Sequence, residues 1–531
     1  MNTAEYLAIA NAIVPHRTGI VFEGRRLTFQ SLQERVNRLA NALADLGVGA
    51  GDRVALMDVN TPELIESYLA SARLDAIFVP LNYRARADEF SQMLRVCEPT
   101  ILMVGKRYQE LVRSALKGTP PPNYVITLEE RDGGQWVFYD DLIGSSSPEE
   151  LHFPTADDMD TTLLLFTAGT TGDPKAVMLN HDSFSSYMLS SVPPPDIEVE
   201  ERNLLSVPMY HIAGMQGALA AIYGGRTLLL MRQFEAQQWM ELVQKERADR
   251  AGMVPTMLKQ VVDHPNFDNY DLSSLKIITY GAAPMPLEVI KKAIAAFPKA
   301  RFINAFGQTE TASTITMLPP EDHVLEGTED EIEKKLKHLT SVGKPLEDVE
   351  VAILDKDGHE LPNGQVGEVA AKGPRLMSGY WKDGQATRGA YHGDWLLTGD
   401  LGYRDEDGYI YLAGRSKDFI KRGGEMVSPE EVEQVLMSHP AVDDAAIIGV
   451  PDLQWGERVR AVVVPHKGKS VTASELIEHC HQRLASFKRP ESVVFVDELP
   501  RNPLGKVLKR VLRQQYNYPV EELKTEKHFD T

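Results

Sequence analysis

The chain has 531 residues, of which 43% are hydrophobic and 25% charged, and its formal net charge is -20. A single hydrophobic core stops growing at about 250–300 residues, so this length predicts at least two domains. The acidic balance disfavours a nucleic-acid partner, because phosphate contacts need an excess of lysine and arginine. The only two cysteines, Cys97 and Cys480, provide neither a disulfide framework nor a CxxC metal site. No stretch approaches the roughly 20 apolar residues of a membrane span, and we expect a cytosolic protein.

The first hundred residues predict alternating helices and strands. Ser31 and Glu34 have the spacing of a capping box at the start of an amphipathic helix. Residues 53–58 and 76–81 are apolar runs typical of buried strands, and Thr61 between them is placed to cap a second helix. Strand, helix and strand at these lengths predict a βαβ unit in a parallel sheet.

An apolar run followed by a turn of small or polar residues occurs three more times. The runs are residues 162–166, 276–280 and 301–305. In open α/β sheets, ligands bind just beyond the carboxyl ends of the strands. We therefore expect the three turns to share one ligand site.

The second half of the chain predicts smaller units. Residues 321–337 are highly charged and predict an exposed helix or loop. Residues 349–411 are short segments with Asp-Gly turns, which predict a β subdomain of hairpins. The predicted fold class is α/β, with a large N-terminal domain of α/β layers plus this β subdomain over residues 1–416. A small α+β C-terminal domain is expected over residues 417–531.

The most specific motif is the string TAGTTGDPK at residues 167–175, directly after a predicted strand. Gly169 and Gly172 permit unusual backbone dihedrals and close approach of a ligand. Exposed amides and three threonine hydroxyls are donors suited to phosphate oxygens, and Lys175 adds a positive charge. The glycine spacing differs from that of a Walker A loop. The string predicts a phosphate-binding loop of another kind.

This string resembles the phosphate loop of the adenylate-forming superfamily, which includes acyl-CoA synthetases, peptide-synthetase adenylation domains and beetle luciferases. Further signatures of that family follow in order: residues 304–310 (NAFGQTE), 398–400 (TGD), 414–418 (GRSKD), 421–424 (KRGG), 429–433 (PEEVE) and 503–506 (PLGK). The resemblance covers nearly the whole chain. It implies that ATP converts a carboxylate to an acyl-adenylate, whose acyl group then passes to a thiol.

The resemblance also implies roles at the nucleotide. Glu310 would hold Mg²⁺, which prefers oxygen ligands, and Thr309 would contact phosphate. Phe306 would lie against the adenine, and Asp400 and Arg415 would bind the ribose. The residues implied in ATP or AMP binding are Thr167, Ala168, Gly169, Thr170, Thr171, Gly172, Lys175, Ala283, Pro284, Asn304, Ala305, Phe306, Gly307, Asp400 and Arg415.

The remaining implied roles belong to the C-terminal domain, which in this family is mobile and rotates after adenylation. Lys506 would bridge the carboxylate and the α-phosphate in the first half-reaction. Lys417 matches the hinge, and the loop of Lys421, Gly423 and Gly424 matches the border of the CoA pantetheine tunnel. The implied catalytic residues are Lys506, Thr309, Glu310 and Lys421.

Two positions depart from the family pattern. Ala168 stands where serine is usual, and Ala176 stands where glycine is usual. Ala168 removes a hydroxyl donor, and a net hydrogen bond contributes about 0.5–1.5 kcal/mol. We expect weaker ATP binding or slower adenylation, without loss of activity.

The residues implied in the acyl pocket are small and apolar in character. They are His211, Ile212, Ala213, Met215, Gly281, Ala282 and Ala312. No lysine or arginine among them could hold a second carboxylate, which favours an apolar acid, either aliphatic of medium or longer length or aromatic. His211 is expected in the pocket wall or as a gate.

The leading function is an AMP-forming acyl-CoA synthetase that uses ATP, Mg²⁺ and CoA. A free-standing adenylation enzyme that loads a carrier protein shares the first half-reaction, but the sequence contains no GGxS-type carrier attachment site. A catalytically weak nucleotide-binding relative is disfavoured by Lys506, Glu310 and Asp400, and a luciferase-type oxidation is a remote fourth option. A homodimer is the expected oligomeric state.

Overall fold

The structure is a computed structural model. It describes residues 1–131, 133–134, 136–155, 157–167, 174–415, 418–422, 425–452, 455–502 and 505–517. The helices in chain order are α1 Glu5–Ile13, α2 Phe29–Asp45, α3 Pro62–Arg73, α4 Ala87–Cys97, α5 Gln109–Leu116, α6 Tyr139–Ser145, α7 His181–Ser191, α8 Ile212–Tyr223, α9 Ala236–Glu246, α10 Pro255–Val262, α11 Leu287–Ala296, α12 Glu329–His338, α13 Gly384–Gly389, α14 Pro429–Met437, α15 Ala473–His481 and α16 Lys509–Gln515.

The strands in chain order are β1 Thr18–Phe22, β2 Arg25–Thr28, β3 Arg53–Met57, β4 Ile77–Pro80, β5 Ile101–Val104, β6 Tyr124–Thr127, β7 Val137–Phe138, β8 Thr161–Thr167, β9 Lys175–Asn180, β10 Arg202–Leu205, β11 Thr227–Leu230, β12 Arg250–Met253, β13 Ile277–Gly281, β14 Arg301–Gln308, β15 Ser313–Leu318, β16 Lys344–Pro345, β17 Glu350–Leu354, β18 Gly367–Lys372, β19 Gly379–Tyr380, β20 Tyr391–His392, β21 Trp395–Arg404, β22 Ile410–Arg415, β23 Ile420–Arg422, β24 Glu425–Val427, β25 Val442–Asp452, β26 Gly456–Pro465 and β27 Ser492–Phe495.

Two large sheets form the N-terminal domain. The first has the strand order β19-β9-β8-β4-β3-β5-β6-β7, and the second has the order β16-β15-β14-β13-β12-β10-β11-β1-β2. The predicted βαβ unit is present as β3, α3 and β4, with β3 and β4 parallel. All four residues of β4 and of β5 are buried, as expected for parallel strands that helices cover on both faces. These apolar strands place the polar turns that follow them at the sheet edges.

The start of α2 differs from the prediction. Thr28 is the N-cap, and its hydroxyl accepts a hydrogen bond from the Ser31 backbone N–H at 3.1 Å. Glu34 accepts from the Gln30 side chain at 3.1 Å. The predicted capping box of Ser31 and Glu34 is therefore wrong by three residues. The helix begins earlier because Phe29, fully buried at its first position, packs into the core.

The β subdomain and the C-terminal domain each contain a separate five-stranded sheet. In the β subdomain, β17, β18, β21 and β20 are neighbours and β22 pairs with β21, all antiparallel. The C-terminal sheet has the order β24-β23-β26-β25, with β27 parallel to β26. This confirms the predicted α/β fold class. The proposed boundary at residues 416 and 417 lies outside the described residues. Among the described helices, none combines the length and the apolar character needed to cross a bilayer.

Candidate active site

The predicted turns after β13 and β14 meet at one edge of the second large sheet. Gly281 at the end of β13 pairs with Ala305 of β14. A Cβ atom on Gly281 would lie 2.1 Å from the Ala305 carbonyl oxygen, and one on Gly307 would lie 1.5 Å from the Ser313 carbonyl oxygen. Both positions therefore require glycine for close backbone packing. After Gly281 the chain turns through Ala282, which is exposed and has a φ of 66°.

The predicted phosphate loop connects two paired strands. Thr167 at the end of β8 pairs with Lys175 at the start of β9, in antiparallel register. The loop residues Ala168, Gly169, Thr170, Thr171 and Gly172 lie outside the described residues. The pairing of β8 with β9 brings Thr167 and Lys175 together. Ala176, one of the two departures from the family pattern, is buried in β9.

Glu310 is held by a tyrosine that the sequence analysis did not identify. The Tyr380 hydroxyl donates to Glu310 Oε1 at 3.0 Å, and the Met377 backbone N–H donates to the Glu310 carbonyl at 2.9 Å. Lys175 Nζ lies 4.9 Å from the centre of the Tyr380 ring, a cation–π distance. Burial, followed by the Glu310 charge, raises the pKa of Tyr380 well above its ordinary value, so the hydroxyl stays a donor. Lys175 and Glu310 are thus joined through one aromatic side chain.

The surroundings of Glu310 suit a magnesium ion that arrives with a nucleotide. Glu310 is half-buried, and Tyr380 occupies only one of its two oxygens among the described contacts. Within the described residues there is no group of three or more histidine, cysteine or carboxylate side chains that could hold a metal. Mg²⁺ commonly takes one or two protein carboxylates and completes its shell with phosphates and water. Glu310 fits that role as the protein's ligand.

Asp400 and Arg415 form an ion pair across β21 and β22. The two residues are directly opposite in the strand register, and Arg415 Nε lies 2.6 Å from Asp400 Oδ1. The β18–β21 register is irregular at this point, and the backbone there is fixed because Gly399, with a φ of 72°, donates its N–H to Glu368 at 3.0 Å. A carboxylate and a guanidinium held in this way can bind hydroxyls and a phosphate, respectively.

The other predicted nucleotide residues lie on β14 or next to it. Phe306 is half-buried and packs against the apolar cluster of the β subdomain. Asn304 is buried, and its amide donates to the Ser341 carbonyl at 3.3 Å. Thr309 begins a short 3₁₀ turn after β14. Farther from β14, Ala283 is half-buried and Pro284 is exposed.

Lys506 reaches this region from the C-terminal domain. Its loop is closed by hydrogen bonds with Asn502: the Lys506 N–H donates to Asn502 Oδ1 and the Asn502 N–H to the Lys506 carbonyl, both at 2.8 Å. Burial, and then the positive charge of Arg415, lower the pKa of Lys506, while Asp400 opposes that shift. Lys506 therefore lies within electrostatic range of the Asp400–Arg415 pair.

Among the residues predicted for the thiol step and the hinge, Lys421 is the one that the structure describes. Lys421 is exposed on β23, and its backbone N–H donates to Glu457 at 2.7 Å. The structure links Lys506 electrostatically to Asp400 and Arg415. Lys417, Gly423 and Gly424 lie outside the described residues.

His211 is a neutral side chain at the start of α8. Burial, with a smaller contribution from Arg84, lowers the pKa of His211 to about 3. Its Nε2 atom is buried and has no hydrogen-bond partner among the described residues, and its ring lies 4.1 Å from that of Tyr210. Gly214 in the next turn is required, because a Cβ atom there would lie 2.3 Å from the Pro208 carbonyl oxygen.

The other predicted acyl residues are divided between two apolar clusters. Ile212, Met215 and Ala312 are buried in one cluster. Ala213 is half-buried and packs against a second cluster that contains Tyr280. This places α8 beside the sheet edge where β13 and β14 end. The assignment of these residues to an acyl pocket stays a prediction.

Comparison with known proteins agrees with this arrangement. A family model described as "AMP-binding enzyme" matches residues 8–381, and one described as its C-terminal domain matches residues 431–506. The chain is 31% identical to an indoleacetate–CoA ligase of Aromatoleum aromaticum, over 97% of this chain and 98% of the relative. It is 34% identical to the long-chain-fatty-acid–CoA ligase FadD13 of Mycobacterium tuberculosis, over 93% and 94% of the two chains.

A solved structure extends this similarity to the fold. The anthranilate CoA ligase AuaEII in complex with anthranoyl-AMP superimposes with a TM-score of 0.87 and 25% identity, covering 97% of each chain. The family models together span most of the present chain, and they include the segments that carry Glu310, Tyr380 and Lys506. The chain belongs to the AMP-binding enzyme family, the adenylate-forming superfamily that its motifs resemble.

Proposed function

We propose that the protein is an acyl-CoA synthetase that activates an apolar carboxylic acid with ATP and transfers the acyl group to CoA. One observation carries this proposal: the charges of Arg415 and Asp400, an ion pair of the large domain, act on the Lys506 side chain of the C-terminal domain and shift its pKa in opposite directions. The enzyme is an AMP-forming acid–CoA ligase, the class to which the related ligases belong.

In the first half-reaction, a carboxylate oxygen of the acid bonds to the α-phosphorus of ATP. The bond from that phosphorus to the bridging oxygen breaks, and pyrophosphate leaves with the electron pair. Catalysis of such a transfer is mainly positioning and neutralisation of charge. Lys506 would bridge the carboxylate and the α-phosphate, Lys175 would neutralise phosphate charge, and Asp400 would hold the ribose. Mg²⁺ bound at Glu310 would supply further charge neutralisation on the phosphates.

In the second half-reaction, the thiol sulfur of CoA bonds to the acyl carbon. The bond from that carbon to the phosphate oxygen breaks, AMP leaves with that oxygen and the electron pair, and the thiol proton passes to water. The site then needs an open path to the acyl carbon, which the adjacent C-terminal domain restricts. Rotation of that domain about Lys417 would withdraw Lys506 and bring the loop of Lys421, Gly423 and Gly424 to the site.

The acyl group is proposed to be apolar because the wall assigned to it carries no charge. His211 is neutral at working pH since its pKa is about 3. Met215 and Ala312 are fully buried in apolar surroundings. A second carboxylate on the substrate would be desolvated there without a counter-charge, which is costly. Aliphatic and aromatic acids both satisfy this requirement.

The proposal is tested by measuring pyrophosphate release with ATP and Mg²⁺ over a panel of straight-chain, branched, alicyclic, aromatic and dicarboxylic acids, with and without CoA. Mass spectrometry would identify the products. We expect an acyl-CoA and AMP with a monocarboxylic apolar acid and no reaction with dicarboxylic acids. An acyl-adenylate that never transfers to CoA would instead favour carrier-protein loading. Absence of turnover with every acid would contradict the proposal. A homodimer and a cytosolic location stay predictions.

A further inference from the structure

Helix α10 of the large domain contacts the C-terminal domain through an ion pair. Lys259 Nζ lies 2.8 Å from Asp443 Oδ1 at the start of β25. The same nitrogen lies 3.0 Å from Asp263 Oδ2, four residues along the chain. Lys259 and Asp443 are 35% and 34% exposed, so water screens the pair only in part.

The residue after Asp443 connects this contact to the loop of Lys506. Asp444 forms an ion pair with Arg501. The Arg501 guanidinium also donates to the carbonyl oxygen of Gly505, the residue before Lys506. Asp443 and Asp444 are therefore neighbouring carboxylates with different partners: one binds the large domain and the other holds the catalytic loop.

The same helix also supports the loop directly. A Cβ atom on Gly505, whose φ is 77°, would lie 2.3 Å from Thr256 Oγ1. Thr256 and Lys259 are three residues apart and so lie on one face of α10. This face contacts the Lys506 loop at Thr256 and the start of β25 at Lys259. Both contacts hold the C-terminal domain in the orientation that brings Lys506 to Asp400 and Arg415.

Both partners of the interdomain pair have a second partner within their own domain. Lys259 keeps Asp263, and Asp443 lies 3.2 Å from His466 Nδ1 in the C-terminal domain. Separation of the two domains therefore leaves neither charge without a polar neighbour. Such a contact can break and re-form at low cost, which suits an interface that must open in every cycle.

We propose that Lys259 and Asp443 are positioning residues for Lys506, which dock the C-terminal domain for adenylation and separate before acyl transfer. This inference rests on the proposed function. The pair does not touch the substrates, and its effect reaches the reaction through Asp444, Arg501 and the Lys506 loop. Its loss should slow the first half-reaction and leave the second unimpaired.

The test compares both half-reactions in Lys259→Glu and in a matched control. Lys291→Glu is the control, because Lys291 pairs with Glu288 on α11 inside the large domain at 3.1 Å. Lys259→Glu replaces attraction with repulsion, and we expect kcat of ATP–pyrophosphate exchange to fall about three- to tenfold. The KM for ATP should change little. Thioester formation from a supplied acyl-adenylate and CoA should be as fast as in the wild type or faster, and the control should match the wild type in both assays.

A reversed pair separates docking from a loss of folding. Asp443→Lys combined with Lys259→Glu should recover most of the exchange rate, which a structural defect would not do. A bifunctional maleimide joining Cys residues introduced at 259 and 443 should preserve exchange and abolish thioester formation. Equal loss in both half-reactions, no recovery in the reversed pair, or exchange in Lys259→Glu equal to the control would each overturn the inference. No pyrophosphate release by the wild type with any acid would overturn the proposed function itself.

Discussion

Two parts of the site differ in how their side chains are held. Around the predicted nucleotide, Tyr380 joins Lys175 to Glu310, and Asp400 pairs with Arg415 across two strands. Along the predicted acyl wall, Met215 and Ala312 are held by apolar packing alone, and His211 is neutral. The charged part, around the predicted nucleotide, suits a ligand that carries charged groups and hydroxyls at matching positions. The shape of the apolar part depends on the volumes of its side chains.

Lys506→Ala should have the largest effect. It removes the positive charge that, in our proposal, the C-terminal domain brings to the carboxylate and the α-phosphate. We expect ATP–pyrophosphate exchange to fall about 10²- to 10³-fold, the usual cost of removing one transition-state stabiliser. Thioester formation from a supplied acyl-adenylate should be largely unchanged. Lys488→Ala, which removes an ion pair to Glu431 in the same domain at 2.7 Å, is the control and should affect neither. Equal loss in both half-reactions would contradict the assignment.

Tyr380→Phe should have the next largest effect, since it removes the hydrogen bond that orients Glu310. Loss of a group that orients a metal ligand typically costs about 10- to 100-fold in metal affinity or activity. We expect the Mg²⁺ concentration for half-maximal exchange to rise about tenfold. Tyr270→Phe is the matched control, because it removes a hydroxyl bonded to Glu241 at 3.4 Å. An unchanged Mg²⁺ requirement in Tyr380→Phe would argue against Glu310 as the metal ligand.

Ala213→Phe tests the apolar part. Ala213 is half-buried against the second apolar cluster, and a phenyl group there would fill space that we assign to the acyl group. A change of a few methylenes in such a pocket alters kcat/KM by at least about tenfold. We therefore expect a loss of about tenfold for the bulkiest accepted acid and little change for the smallest one. A uniform loss for all acids would show that Ala213 supports the fold instead.

His211→Gln should have the smallest effect of these substitutions. We expect it to leave the shape of the pH profile of the exchange rate unchanged. The pKa of His211 is lowered to about 3, so the imidazole carries no proton to lose between pH 6 and pH 8. The shape of the exchange-rate profile over that interval should be the same in the variant and the wild type, whatever the change in absolute rate. A wild-type inflection near pH 6.5 that disappears in the variant would show that His211 titrates and is accessible.

Local patterns predicted the elements better than they predicted the contacts between them. The apolar run at residues 276–280 became β13, and the run at 301–305 became β14 after an extension of three residues. Lys506, Glu310 and Asp400 were identified because family motifs surround them. Tyr380 was missed because its partner, Glu310, is 70 residues away in the chain. The Lys259–Asp443 pair was missed for the same reason, since it spans 184 residues and two domains.

The start of α2 shows a second limit of prediction from local sequence patterns. Ser31 and Glu34 satisfy the local capping pattern, yet burial of Phe29 moved the cap to Thr28. Tertiary packing overrode a local preference that contributes only about 1 kcal/mol. Prediction of the acyl wall has the same limit. The volume left between α8 and the ends of β13 and β14 depends on tertiary packing, which no local motif encodes.

The central claim, that the acid is activated as an acyl-adenylate, is tested most directly with an acid labelled with ¹⁸O in its carboxylate. The labelled acid would be converted with ATP and CoA, and the products would be analysed by mass spectrometry. The account predicts one ¹⁸O atom in the phosphate of AMP and none in pyrophosphate, because the acid oxygen bonds to the α-phosphorus. Label in pyrophosphate or in inorganic phosphate, or AMP without label, would contradict it.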